Sequence, residues 1–445
     1  MAALLRPPGP AAGFFSGGLV RFRRDPLTYL ERVQADYGSF AYFQAGHQHI
    51  YYVNEPELIR EVLVTRSGLF TKSRILQRAK SLLGEGLLTN EGTSHLRQRR
   101  MVQPAFYRDH LVTYGAQMVA LADKACHRWR NEAKLDIDQE MMRLTLAIVG
   151  QTLFSADVED EAPQVGEAMN ALIAIMPLLM LPGSQFIEYV PLPVTRRYLK
   201  AAKLVEATIF RIMNERRASA GNPDDLLSML MNARDPEGDD HAMSDKQVRD
   251  EALTLFLAGH ETTATALAWT WYLLAQHLDA EAALHAELAH VLGDRLPTFD
   301  DLPRLRYTQQ IFAESMRLYP PAWAIGRMAR EPLELGGYTL PAKSIVLLSP
   351  YLMHRNPRFW PDPDRFDPAR WADGDFYKRD FTYFPFGGGP RICVGERFAW
   401  MEGALLLAVI AQRWRFRLEP GHRVERKALI TLRAKNGIKV IAQAR

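Results

Sequence analysis

The longest regular pattern in the chain begins at Ser244. From there apolar residues recur at helical spacing to about His277. Ser244 and Gln247 stand three apart at its start, as in a capping box. At 1.5 Å per residue such a helix is roughly 50 Å long, enough to cross a whole domain. Its middle breaks the local rules. Ala258-Gly259-His260-Glu261-Thr262-Thr263 puts a glycine and two threonines where good helix formers belong. The glycine alone costs roughly 1 kcal/mol, and a mid-helix threonine bends a helix through its hydroxyl. Such a stretch is either a tolerated weak spot or a functional site.

Helical spacing also marks residues 94–106, 301–318 and 396–414, and several helices between 111 and 220. The apolar run 171–181 is too short to span a bilayer. Strand patterns are fewer. Residues 39–44 and 48–53 read as a pair turning at Ala45-Gly46-His47. Asn54 then caps a helix with Pro56 in its first turn. Residues 322–350 read as short strands with a turn at Gly336-Gly337, and 429–441 as a hairpin turning at Asn436-Gly437. Residues 1–20, 73–92, 221–243 and 351–385 read as surface or loop segments. The pattern is mainly α with a small β region.

Composition narrows the classes. Hydrophobic residues make up 47% of 445, enough for a sizeable core. A net charge of +4 gives no argument for nucleic acid. No apolar run reaches the length of a transmembrane helix, and residues 1–18 lack the apolar core of a signal peptide. The two cysteines, Cys126 and Cys393, are too few for a disulfide framework, which suits a reducing, cytoplasmic compartment. They are also too few for an iron–sulfur centre. With no room for an appended flavin domain, electrons would come from another protein.

Cys393 changes the picture most. It follows Phe386-Gly387-Gly388-Gly389-Pro390-Arg391-Ile392 and precedes an apolar helix. Glycines let backbone approach a flat ligand, and a cysteine near a helix start is favoured as thiolate, a metal ligand. Taken alone, such a cysteine is more often a buried structural one in a glycine turn. Phe386, Gly389, Arg391, Cys393 and Gly395 together match Phe-x-x-Gly-x-Arg-x-Cys-x-Gly. Chance would produce that match in on the order of one chain in ten thousand.

This stretch resembles the haem-binding loop of the cytochrome P450 family. The resemblance implies that Cys393 is the proximal thiolate ligand of the iron of haem b, iron protoporphyrin IX. In the family that thiolate favours cleavage of the O–O bond. Arg391 would pair with a haem propionate and Phe386 would shield the sulfur. The motif around Glu261 and Thr262 is similar to the family's oxygen-binding groove, with those two as the catalytic acid–alcohol pair and His260 structural. His95, Arg99 and Arg327 are the other propionate candidates; a surface role for Arg327 stays open. Glu314, Arg317 and Tyr319-Pro320-Pro321 resemble the family's buried Glu-x-x-Arg pair, with Arg365 of Pro363-Asp364-Arg365-Phe366 as its third member. Ala258, Trp323, Ala324, Ile325, Ile430 and Thr431 fall on substrate-lining segments. Residues 75–88 and the lid 171–186 do too, with Arg78 and Lys80 as possible carboxylate partners. Arg6-Pro7-Pro8-Gly9-Pro10 resembles the hinge after the membrane anchor of eukaryotic members.

The resemblance runs from about residue 25 to 441. It implies a single-domain fold, a haem domain over 25–445 behind a proline- and glycine-rich segment 1–24. The haem would lie between the long helix and the helix after Cys393. It implies a monooxygenase that inserts one atom of dioxygen into an apolar substrate by hydroxylation or epoxidation. A ferredoxin or flavodoxin with its reductase would supply electrons, docking on a face with Arg97, Arg100 and Arg397, and the protein would be a monomer. A haem-thiolate isomerase, a peroxygenase and a haem sensor are the alternatives; the retained Glu261–Thr262 pair argues for the monooxygenase.

Overall fold

In the computed structural model, the long helix Asp245–Leu274 runs through the molecule and the other helices are laid around it. The structure describes the chain apart from residues 1–4, 11–17, 47, 157–163, most of 165–191, 219–224, 236–241 and 378–379. The lid expected at 171–186 falls almost entirely outside the described residues.

Ser244 accepts from the Gln247 amide, and the Gln247 side chain accepts from the Ser244 amide, so the capping box is complete. From Thr263 to Trp271 the helix is buried on every side, because Ile137–Phe154, Arg306–Leu318 and Glu396–Arg413 all pack against it. The Gly259 position is tight. A Cβ there would come within 3.0 Å of Val149 on the neighbouring helix. Inside this helical core, Trp269 lies flat on Tyr319, with ring centroids 4.1 Å apart.

A five-stranded sheet flanks the helices in the order Phe40–Ala45, Gln48–Val53, Ile345–Leu348, Ile325–Ala329, Phe70–Lys72. Only the second and third of these run parallel, with Val53 opposite Leu348. A two-stranded hairpin, Leu333–Leu335 with Tyr338–Leu340, turns at Gly336-Gly337 as expected.

Several local expectations shift. The first-turn proline of helix Pro56–Arg60 is in place, but the residue before it is Glu55. Asn54 is buried and donates to Gln34 Oε1 at 2.8 Å instead of capping. Residues 73–92 hold two helical turns, Arg74–Arg78 and Lys80–Leu83, and the 221–243 segment holds helix Leu226–Asn232. The basic helix is Gly92–Val102, followed by a short 3-10 turn. The N-terminal segment is not loose throughout: the Pro8 carbonyl accepts from the Tyr42 amide at 2.9 Å, and Gly18–Arg24 is helical. The strands joined at Asn436-Gly437 do not pair with each other. Leu432–Ala434 pairs with Arg426–Ala428, while Lys439–Ala444 lies between Ala133–Asp136 and Trp414–Leu418. Turn chemistry marks where a chain reverses, but not which strand the next segment joins.

Candidate active site

The glycine loop is shaped by close packing. Gly389 has φ +68°, and a Cβ there would lie 1.9 Å from the Leu63 carbonyl oxygen. No other residue fits that contact in that conformation. The loop closes where the Cys393 amide donates to the Phe386 carbonyl at 3.0 Å. Phe386 packs on Trp400 of the following helix, with centroids 6.1 Å apart. Gly395 has an ordinary φ, and a Cβ there would meet only the Phe106 ring at 3.8 Å, an ordinary contact, so no close protein contact demands it.

Cys393 is exposed, although it sits deep among protein atoms. Its side chain therefore faces an internal space. Burial pushes the thiol up to about 11, against the amide of Gly395, which donates to the sulfur, and the charge of Arg99. A thiol in that setting becomes a thiolate when a metal cation displaces its proton. Cys126, by contrast, is buried beneath Trp414, and burial pushes it up to about 12.

A cluster of cations lies beside the loop. His95, Arg99, Arg327 and Arg391, all singled out in the sequence, come together. Lys72, which was not, joins them. Strand register sets Lys72 directly opposite Arg327, an arrangement of like charges that costs energy unless an anion lies between them. Burial and the charges of Arg391 and Arg327 push Lys72 down to about 7. Burial and the same surroundings push His95 down to about 3, so it is neutral. Arg391 is paired with Glu91 and donates to the Asn90 carbonyl. Arg99 donates to the Ile392 carbonyl at 2.7 Å, which holds the residue before the cysteine. Four cationic side chains around one neutral histidine fit a dianionic group such as a haem with two propionates. Nothing in the short run Phe70-Thr71-Lys72 announces this role; only sheet register shows it.

On the long helix, accessible surface opens in the middle of the motif. Ala258 is exposed, and Gly259 and Thr262 are partly so, while His260, Glu261 and Thr263 are buried. The helix stays continuous. Thr262 Oγ1 donates to the Ala258 carbonyl at 2.7 Å, which leaves the hydroxyl oxygen free to accept. His260 is structural: its Nδ1 lies 2.9 Å from the Phe256 carbonyl. Glu261 turns away from Thr262, toward the C-terminal hairpin. Its Oε1 accepts from Thr431 Oγ1 at 2.7 Å and from Arg433 at 3.2 Å. Thr431, expected at the substrate, is buried and directs its hydroxyl to that acid. Ile430 beside it is 48% exposed. Trp323 is partly buried, with its indole N–H donating to the Leu429 carbonyl at 2.9 Å. Ala324 and Ile325 are partly exposed.

The Glu314–Arg317 pair is fully buried, with Arg317 Nε 2.8 Å from Glu314 Oε2. Its third member is not Arg365, whose side chain is exposed and which contributes only a backbone carbonyl to Arg317. Arg370 takes that place, 3.4 Å from Glu314 Oε1. The chain contains two Pro-x-Arg-aromatic segments five residues apart, and the second is used. Its aromatic residue, Trp371, donates to Glu314 Oε2 at 3.0 Å. That tryptophan was the readable signal, since only an indole of the two aromatic residues can satisfy a buried carboxylate.

Two of the arginines expected to receive a redox partner are already engaged. Arg97 and Arg100 both pair with the buried Asp235, at 3.5 and 2.9 Å. Glu402, one turn from Phe398 on the helix after Cys393, is fully buried. Burial pushes its carboxyl up to about 8, with the nearby Thr263 hydroxyl acting the other way, and neither carboxyl oxygen finds a hydrogen-bond partner among the described residues. An acid inside the apolar run from Trp400 to Ile410 is the signal in the sequence that marks it.

The family model for cytochrome P450 matches residues 7–440. This chain is a member of the cytochrome P450 family. Cyclooctatin synthase of Streptomyces melanosporofaciens is 38% identical to it, over 94% of this chain and 92% of the relative. Cyclooctat-9-en-7-ol 5-monooxygenase of the same organism is also 38% identical, over 89% and 86%. Pentalenene oxygenase of Streptomyces avermitilis is 33% identical, over 95% and 94%. This P450 is an oxidoreductase that uses molecular oxygen on an organic substrate, with electrons from a redox partner, and its family carries haem. Among the described residues, no helix is long and apolar enough to cross a membrane.

Proposed function

We propose that Cys393 holds the iron of haem b in the space between its loop and the Ala258–Thr262 face of the long helix. The observation that carries this is Cys393 itself, accessible yet enclosed by protein. Bound there, the haem supplies dioxygen activation. The chain supplies the rest. Lys72, Arg99, Arg327 and Arg391 neutralise the propionates. Phe386 and Trp400 keep water from the sulfur. The Thr262 hydroxyl holds a proton-carrying water over the pocket, and Glu261 renews its proton from solvent.

The substrate is an apolar hydrocarbon frame. The exposed Ala258 and the partly exposed Ala324 and Ile325 offer no polar side chain to offset desolvation of a sugar or nucleotide. Two relatives are named for pentalenene and cyclooctat-9-en-7-ol, an alkene and an alkenol. Ring-containing alkenes and their monohydroxy derivatives are therefore the first compounds to try. Electrons come from a ferredoxin or flavodoxin, and the enzyme works as a monomer in the cytoplasm.

The carbon-monoxide spectrum of the reduced protein tests the ligand assignment. The red-shifted band of a thiolate-ligated haem should vanish in Cys393→Ala and persist in Cys126→Ala. A Cys393→Ala protein with an unchanged band would end the assignment.

A further inference from the structure

We infer that Thr431 and Arg433 of the C-terminal hairpin are positioning residues for Glu261, fixing one carboxylate oxygen so that the other can carry protons. This rests on the reading of Glu261 as the proton-carrying acid. Among the described residues, the hairpin's bonds to Glu261 all end on the same atom. Oε1 accepts from Thr431 Oγ1 at 2.7 Å, and Nε and Nη2 of Arg433 each lie 3.2 Å from it. Among the described residues, Oε2 takes no bond from the hairpin.

The carboxylate cannot simply drag the hairpin with it, because the hairpin is pinned on both flanks. The Leu432 amide donates to the Pro321 carbonyl at 3.0 Å, and the Leu432 carbonyl accepts from the buried Trp269 indole at 2.6 Å. The Leu429 carbonyl accepts from Trp323, and the Leu429 amide closes the tip onto the Thr431 carbonyl at 3.0 Å. Trp269 belongs to the same helix as Glu261, two turns further on. Hairpin and helix therefore move as one body, and the acid is held within that body.

Arg433 has a second neighbour of opposite charge. Asp138 faces it from the helix Ile137–Phe154, near Asp136, whose charge is met by Lys439 at 2.8 Å. The buried His260 is neutral, since burial lowers it. Arg433 thus also acts through its charge on a second carboxyl, one that is partly open to solvent. In the step this arrangement serves, Oε2 takes a proton from a water that is reprotonated from solvent. It gives that proton to the water held at the Thr262 hydroxyl, which passes one of its own protons on into the pocket. Each O–H bond broken is matched by one formed, and Glu261 returns to carboxylate. A carboxylate free to rotate would present Oε2 in the useful direction only part of the time.

The test compares Thr431→Val, which keeps the shape and removes the hydroxyl, with Thr431→Ser, which restores it. Arg433→Gln, Glu261→Gln and the Thr431→Val/Glu261→Gln double variant complete the set. Peroxide released per donor oxidised is measured with an apolar ligand chosen by spectral titration. Thr431→Val and Arg433→Gln should release roughly three- to tenfold more peroxide, the size expected when one ordinary hydrogen bond is lost. Thr431→Ser should stay close to the parent, and the double variant should match Glu261→Gln alone. Independently of turnover, Thr431→Val and Glu261→Gln should be non-additive in urea unfolding. If Glu261→Gln uncouples but Thr431→Val does not, the positioning role is wrong and the acid stands. If Glu261→Gln itself leaves peroxide unchanged, the acid assignment falls, and this inference with it.

Discussion

At the scale of single residues, the informative side chains are those whose environment opposes their usual state. Glu402 is the strongest example. Its folded carboxyl, pushed up to about 8, stands well above the usual carboxylate range. Folding therefore takes up a proton there. The sign follows: the group costs nothing below pH 4, and its cost grows as pH rises through the ordinary carboxylate range toward 8. At pH 7 the cost is roughly 3 kcal/mol. Glu402→Gln removes the titration and keeps the shape. In urea unfolding the variant should gain on the parent as pH is raised from 4.5 to 8, with the two nearly equal at the acid end. A difference that is flat with pH would mean that Glu402 is ionised in the fold at all these pH values. Lys72 shows the same logic with opposite charge: burial and two arginines push it down to about 7, and an anion beside it would restore its charge.

At the scale of elements, the Glu314 cluster ties the helix Arg306–Leu318 to the irregular segment after residue 351. Arg317 donates to the carbonyls of His354, Pro363 and Arg365, so one buried guanidinium fixes three points of a segment with little regular structure. Glu314 in turn accepts from the Asp367 amide and the Trp371 indole. Removing either central charge strands the other without water. Glu314→Ala should cost about 3–5 kcal/mol or prevent folding. Arg370→Ala should cost about 1–3 kcal/mol, since Glu314 keeps its other partners. Arg365→Ala should stay within about 0.5 kcal/mol, as for an exposed side chain. Denaturant unfolding of the three variants checks the order. A larger loss for Arg365→Ala than for Arg370→Ala would reverse the assignment of the third member.

At the scale of the whole molecule, electrons must reach a sulfur enclosed by protein. Arg397 is exposed just beyond the cysteine loop, whereas Arg97 and Arg100 are held by Asp235. Reduction by an acidic ferredoxin should slow with added salt, as the Debye length falls from about 10 Å at 0.1 M to about 3 Å at 1 M. Arg397→Glu should slow it further at low salt, while Arg100→Glu should act mainly on the melting temperature. A stopped-flow rate indifferent to salt and to Arg397→Glu would remove this face from consideration. The division between sequence and structure falls along the same lines. The chain's own pattern was enough for the long helix, its capping box, the cysteine loop and the family, because these depend on neighbours within a few residues. The third arginine of the cluster, the Lys72–Arg327 opposition, the strand partners after Asn436-Gly437 and the bond from Thr431 to Glu261 were decided by tertiary structure alone. Each is a contact between residues distant in the chain, or a choice between two equivalent local motifs. Register, packing and the need to satisfy buried charge make those choices, and no stretch of sequence carries them.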